Sequence, residues 1–142
     1  MNSTENDIIN GKKGKNILQK VDFKPIVESF INFYFSNLSK LTSNQEILSL
    51  FNKNSRIMFS NNVYCGIEQI DTFFTFIKSN SQNIQLENYQ MLESGSRRID
   101  ILINGSITKE NQIFKFSQYI FLCHIIENKI DKWWIQNSIF NI

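Results

Sequence analysis

Alanine is absent from this sequence of 142 residues, histidine and proline occur once each, cysteine twice and glycine five times. So little glycine and proline excludes a collagen-like repeat, and 42% hydrophobic residues exclude an intrinsically disordered chain. The missing alanine, beside heavy use of Asn, Ile, Lys and Phe, is the imprint of an AT-rich genome. No function is therefore read into the Asn runs. Cys65 and Cys123 stand far apart with no CxxC spacing, and the one adjacent histidine, His124 next to Cys123, makes no metal-ligand pattern. That pattern predicts buried free thiols in a reducing compartment rather than a disulfide or a metal pair. No Gly-rich phosphate loop, nucleophile elbow or metal-ligand cluster occurs, so no cofactor and no metal are expected. No run approaches the roughly 18 apolar residues of a membrane helix, and the N-terminus has no signal-peptide core, so no membrane partner is expected. Basic side chains outnumber acidic ones by 15 to 13. The body of the chain lacks the Lys/Arg stripe of a phosphate binder, so no direct nucleic-acid specificity is expected. The one basic cluster, Lys12, Lys13, Lys15 and Lys20, falls in a polar leader, residues 1–20, read as a disordered, solvated tail.

What the chain does have is aromatic residues, with 13 Phe and 2 Trp in a length that suits one domain, residues 21–142. Phe23, Val27, Phe30, Tyr34 and Leu38 recur at three- and four-residue spacing and predict an amphipathic helix, capped by Asp22 with Pro25 in its first turn. Ser43 caps a second, shorter helix with Ile47, Leu48 and Phe51 as its buried stripe. Ser55 to Gly66 reads as a hairpin turning at Asn61-Asn62, and a third helix follows over about Ile67–Ser79. Four extended runs come next, Asn83–Leu92, Arg97–Thr108, Ile113–Ile126 and Lys132–Ile142, which predict an antiparallel meander. The apolar positions of the first run change parity between Leu86 and Tyr89, which predicts a β-bulge near Glu87-Asn88 and a sheet that curls. The expected fold is α+β: a cone-shaped curved antiparallel sheet with three helices packed on one face.

Several of these strands are apolar on both faces. Phe116, Ile120 and Leu122 oppose Tyr119, Phe121 and Cys123. By simple alternation, Trp134 and Phe140 oppose Trp133, Ile135 and Ile139. Three short helices cover one face of a four-stranded sheet, and a strand with one solvated face should alternate polar and apolar. The surplus predicts a second polypeptide on the other face, at about 800 Å2 per partner for a standard interface. Arg98, Asp100, Leu102, Tyr119, Phe121 and Trp134 are the candidate docking residues, although a one-residue slip would exchange the faces.

Candidate chemistry is sparse. His124, the sole histidine, sits near a strand end and reads as structural. Asp100 interrupts an apolar strand. On the outer face it would pair with Arg98 or a partner; inside the cone it would be a desolvated acid with a raised pKa. Asp22, Asp71 and Asp131 fall at element ends, where capping or solvation explains them. No catalytic residue is assigned and an enzyme is not expected.

The order helix, helix, hairpin, helix and meander resembles the nuclear transport factor 2-like family over about residues 22–142. Phe30-Ile31-Asn32-Phe33-Tyr34-Phe35 is similar to the family's F-[IV]-x-x-Y-Y, and Ser55-Arg56-Ile57-Met58-Phe59 with Gly66 to its S-x-L-x-W hairpin ending in Gly. Gly105-Ser106-Ile107 followed by Phe116-Ser117-Gln118 resembles G-x-[LV] and F-x-Q. Trp133 with Phe140 resembles the closing W-x6-F. Val21-Asp22-Phe23-Lys24 and Gly105-Ser106-Ile107 also look like V-D-F-K and G-S-V of the export-related subtype.

The resemblance implies a non-enzymatic transport adaptor of the nucleus, cytoplasm and nuclear pore. Such a protein pairs through its sheet with a larger mRNA-export receptor and contributes to nucleoporin FG-repeat binding, for which Phe23 is the candidate contact. A homodimeric import carrier for Ran in its GDP form is the first alternative, with Glu110 as its candidate contact. That subtype has Glu after the hairpin aromatic, where this chain has Ser60, and an acidic turn before F-x-Q. Here the turn is Lys109-Glu110-Asn111-Gln112, with one acid. The closing D-x-F-R is replaced by Ser138-Ile139-Phe140-Asn141, so the resemblance does not extend to a salt bridge there. A cone-pocket isomerase or dehydratase, or a small-ligand binder using Asp100, is the second alternative.

Overall fold

Apolar residues three and four apart wind the chain into α1 (Lys24–Leu38), with Val27, Phe30, Ile31, Tyr34, Phe35 and Leu38 buried along one stripe. The computed structural model describes residues 22–40, 43–95 and 97–142, so the leader with Lys12, Lys13, Lys15 and Lys20 lies outside the described residues. Phe23 takes the N-cap position and Pro25 fits the first turn. Asp22 serves one step earlier than expected, its Oδ1 accepting the Lys24 N–H at 3.1 Å. The short α2 (Gln45–Leu48) follows Ser43, whose hydroxyl accepts the Gln45 N–H at 3.1 Å. The third helix, α3 (Gly66–Ser79), buries Ile70, Phe73, Phe74 and Ile77. Among the described residues no helix is long and apolar enough to cross a membrane.

The hairpin is β1 (Arg56–Phe59) and β2 (Asn62–Cys65). Its turn falls on Ser60-Asn61, one residue before the expected Asn61-Asn62, because Asn62 already pairs with Phe59. Both turn residues have positive φ, 51° and 68°, as a tight two-residue hairpin requires. The meander is β3 (Asn83–Glu93), β4 (Arg98–Lys109), β5 (Gln112–Glu127) and β6 (Ile130–Asn141). Glu110-Asn111 and Asn128-Lys129 turn it with the same positive-φ pairs. The expected bulge is present, with the β3–β4 register shifting between Leu86 and Asn88.

Two expectations change. Among the described residues the sheet has six strands in the order β2-β1-β6-β5-β4-β3, and it is mixed rather than antiparallel throughout, because β1 runs parallel to β6. Strand β6 also bulges: Phe121 pairs with Asn137 but Leu122 with Ile135, which leaves Gln136 over. The extra residue reverses parity, so Phe140 shares the helix-side face with Trp133 and Ile135, while Ile139 shares the outer face with Trp134. The local cause is a clasp. The Ile135 N–H donates to Leu50 O at 2.8 Å, and the Ile135 carbonyl accepts the hydroxyl of fully buried Ser55 at 2.6 Å. Below that point β6 holds the loop leading into β1; above it, the strand itself.

The concave face and the helices share one aromatic core. Phe140 stacks on Phe116 with centroids 4.9 Å apart and meets Phe59 and Phe73 edge-on. Gly105 lies opposite Phe116, and a Cβ there would stand 2.5 Å from the Phe116 ring and 2.4 Å from Gln85 O. The missing side chain is the space the ring occupies. Gly105→Ala should therefore destabilise the domain by about 1–3 kcal/mol through overpacking, read as a lower midpoint in urea with an unchanged slope.

The outer sheet face as a candidate protein interface

Strand register aligns side chains into rows across the convex face, which none of the helices among the described residues covers. Val63, Met58, Ile139, Tyr119 and Leu102 are successive partners on β2, β1, β6, β5 and β4, so they form one apolar row across five strands. Val63 is 51% exposed, Met58 44%, and Ile139 and Leu102 42% each. The next row is Cys65, Arg56, Asn137, Phe121, Asp100 and Leu92, and a third places Trp134 beside Cys123 and Arg98. On the other side of the apolar row a polar ladder begins. Ser117 donates to Asn104 Oδ1 at 3.0 Å, and Asn104 Nδ2 donates to Asn88 Oδ1 at 3.1 Å. A groove of about 340 Å3 opens among Arg56, Met58, Val63, Arg98, Phe121 and Ile139.

All six sequence-predicted docking residues, Arg98, Asp100, Leu102, Tyr119, Phe121 and Trp134, lie on this face. Asp100 is on the outside, not in the cone, and its side chain is 16% exposed. Arg98 Nε donates to its Oδ1 at 3.0 Å, Tyr119 donates to the same oxygen at 2.9 Å, and Ser94 donates to Oδ2 at 3.2 Å. The Arg98 guanidinium also lies 3.5 Å from the Phe121 ring centre. Burial alone would raise the Asp100 pKa, but the bonds from Tyr119, Arg98 and Ser94 outweigh it and hold the carboxyl below its ordinary value. A depressed folded pKa means the cluster stabilises the fold above the ordinary Asp value, and that contribution is lost as pH falls through the folded value. Asp100→Asn should therefore lower stability at neutral pH and flatten the acid limb, so that denaturation midpoints of the two proteins converge at low pH. Trp134 carries Lys132, whose Nζ stands 4.0 Å from the ring centre.

Sequence reasoning missed Arg56, Met58, Val63 and Ile139. Met58 and Val63 alternate properly with their neighbours, but nothing local says that this hairpin joins the meander at β6. The thiols also differ from expectation: Cys65 is exposed and Cys123 half-buried, although both are free. They lie on strands three places apart in the sheet, roughly 14 Å at the usual spacing, too far for a disulfide. Burial raises the Cys123 pKa.

The remaining candidates lie elsewhere. Phe23, the candidate FG-repeat contact, is 7% exposed with its ring edge-on to Trp133 at 5.5 Å, so it is mainly a core residue. His124 stacks on Trp133 at 4.8 Å with Nε2 3.8 Å from Asp131 Oδ1. Glu110 is at the exposed tip of the β4–β5 hairpin. Its neighbour Lys109, with Phe59, Phe76, Phe114 and Ile142, lines a second groove of about 200 Å3 at the opposite end of α3 from Gly66. The β1–β2 turn at Ser60 follows directly on Phe59. Inside the cone, Gln118 Nε2 donates to the Tyr34 hydroxyl at 2.8 Å and to Ser138 Oγ at 3.0 Å. Burial pushes the Tyr34 pKa well above its ordinary value, against the lowering effect of Gln118. Among the described residues no carboxylate, histidine or cysteine is buried there, and no three such groups gather as metal ligands.

The chain belongs to the nuclear transport factor 2 family: the family model for the Nuclear transport factor 2 (NTF2) domain matches residues 26–142. No curated protein matches it in sequence. Among solved structures it is similar to nuclear transport factor 2 from Cryptosporidium parvum, at 20% identity and TM-score 0.67, covering 84% of this chain and 93% of that one. It is similar to the yeast Ubp3-associated protein Bre5 at 18% identity and TM-score 0.68, covering 85% and 96%. A protein assigned as an aromatic ring hydroxylase from Novosphingobium aromaticivorans matches at 13% identity and TM-score 0.62, covering 82% and 85%. The fold is thus nuclear transport factor 2-like, with six strands in an open curved sheet and three helices among the described residues, and the names of these similar proteins span transport, association and enzymatic roles. The motif residues explain why. Tyr34, Ser55, Phe116, Gln118 and Phe140 all point into the core around Gly105, so they specify the cone and not what it binds.

Proposed function

We propose that this chain is a non-enzymatic nucleocytoplasmic transport adaptor that pairs through its outer sheet face with a larger mRNA-export receptor. The observation that carries the reading is the apolar row from Val63 to Leu102, which runs across five strands and has no cover among the described residues. Exposed apolar surface is worth about 25 cal/mol per Å2 on burial, so a face of standard interface size favours a permanent neighbour. Arg98, Asp100, Leu102, Tyr119, Phe121 and Trp134, with Arg56, Met58, Val63 and Ile139, form the contact. The pair works in the nucleus, the cytoplasm and at the nuclear pore, where it helps to present a site for FG repeats. The outward Asp100, in a cone where no carboxylate, histidine or cysteine is buried among the described residues, supports a binding role over a cone-pocket enzyme or small-ligand binder.

One observation favours a second reading, the homodimeric carrier for Ran in its GDP form. The groove between Phe59, Phe76 and Phe114 lies beside Ser60 and the Glu110 turn, the two places where the carrier subtype concentrates acid. Ser60 and the single acid of that turn weigh against it. Affinity purification of the tagged chain with mass spectrometry decides between them. Recovery of a large export receptor supports the adaptor, enrichment of Ran supports the carrier, and a stable monomer that binds small molecules instead removes both.

A further inference from the structure

Strand β3 ends the sheet, and among the described residues no strand pairs with its outer side. The opposite edge, β2, is only 4 residues long, whereas β3 runs for 11. A long free edge invites another strand, and Lys, Pro or a covering segment ordinarily guards it. Asn83–Glu93 contains no Lys, Arg or Pro. A groove of about 830 Å3 lies at the end of this edge, between Tyr89, Met91, Leu92 and Glu93 of β3 and Asp22 and Lys24 at the start of α1. Successive side chains of a strand point to opposite faces, so a groove that touches Met91, Leu92 and Glu93 together follows the strand's edge rather than either face. Leu92 is 66% exposed there.

We propose that this groove holds the chain's own leader, with Ile17, Leu18 and Val21 against Met91 and Leu92 and Lys20 beside Glu93. Such a contact stands apart from the sheet-face reading, because the apolar row ends at Leu102 on β4, whose β3 neighbour is the polar Gln90. The leader is the occupant that position, reach and charge select. It joins the domain at the groove itself, since Asp22 is part of the wall. Residues 16–21 span about 20 Å when extended, enough to follow β3 from Asn88 to Glu93. Residues 10–21 carry four Lys and no acid, whereas the wall sets Asp22 and Glu93 against the single base Lys24. A tethered segment also meets the groove at an effective concentration on the order of mM, so weak contacts hold it where a free peptide would dissociate.

Amide hydrogen exchange read by mass spectrometry on the full chain, at two protein concentrations, tests this. The amides of Tyr89–Glu93 should exchange at least about tenfold faster in Ile17→Asp/Leu18→Asp than in the wild type. Ile8→Asp/Ile9→Asp, in the same leader but farther from Asp22, should leave them unchanged. Amides of Ile99–Ile103 should not respond to either variant, which shows that the core stays folded. Lys20→Glu should speed the Tyr89–Glu93 amides several-fold by setting like charges together, and adding Glu93→Lys to it should restore their protection. Equal exchange of these amides in the wild type and Ile17→Asp/Leu18→Asp overturns the proposal. Protection that grows with protein concentration overturns it as well, because the occupant of the edge is then a second copy.

Discussion

Phe140→Ala is expected to lower the stability of the domain by about 3–5 kcal/mol, the largest effect of any single truncation considered. Phe140 is 1% exposed, stacked on Phe116 and touched edge-on by Phe59 and Phe73, so its removal opens a cavity between β1, β5, β6 and α3. None of the neighbours can fill that space. Phe116 is already folded over Gly105, and Phe73 is fixed against Phe74 at 5.2 Å. Against a total stability of about 5–15 kcal/mol for a natural domain, the loss leaves little margin. The melting temperature should fall by roughly 10–20 °C. Phe76→Ala is the matched control. That ring is 49% exposed, and its truncation should cost about 1 kcal/mol or less by calorimetry.

Ile139→Asp should do the opposite, leaving the fold and removing the partner. Ile139 is 42% exposed in the monomer yet central to the apolar row, flanked by Met58 on β1 and Tyr119 on β5. A carboxylate there is solvated in the free chain, so the cost to stability is about 1 kcal/mol, the range of strand propensity. Under a docked protein the same group is desolvated and unpaired, which costs about 3–5 kcal/mol, or a factor of 100 or more in affinity. Competition binding with the purified partner, alongside a thermal melt of the variant, separates the two effects. Loss of binding together with collapse of the melt would mean that Ile139 belongs to the core after all.

Much of this was legible in the sequence, and the limits have physical causes. Helix stripes and turn pairs are local signals, so α1, α3 and the four meander strands fall where spacing puts them. The Glu87 bulge was readable because it shifts the parity of apolar residues on a strand with one polar face. The Gln136 bulge was not. Strand β6 is apolar on both faces, and an inserted residue there leaves no mark on the pattern. Its cause, the Ser55 hydroxyl on the Ile135 carbonyl, joins residues 80 positions apart. The same distance hid the parallel pairing of Arg56–Phe59 with Asn137–Phe140, and with it Met58 and Val63 of the apolar row. The two placements left open for Asp100 resolve outward, because β4 is regular there and Ile99, Ile101 and Ile103 take the buried face. The family motifs were legible as a pattern, but only the packing shows that they describe the interior of the cone.

The most direct measurement is photocrosslinking in living cells from a benzophenone side chain at position 139, with the same probe at exposed Glu28 on α1 as the control. A covered convex face predicts one discrete adduct of constant mass from position 139 and none from position 28. An uncrosslinked chain at position 139, or the same diffuse products from both positions, would contradict the claim that another protein lies against this sheet.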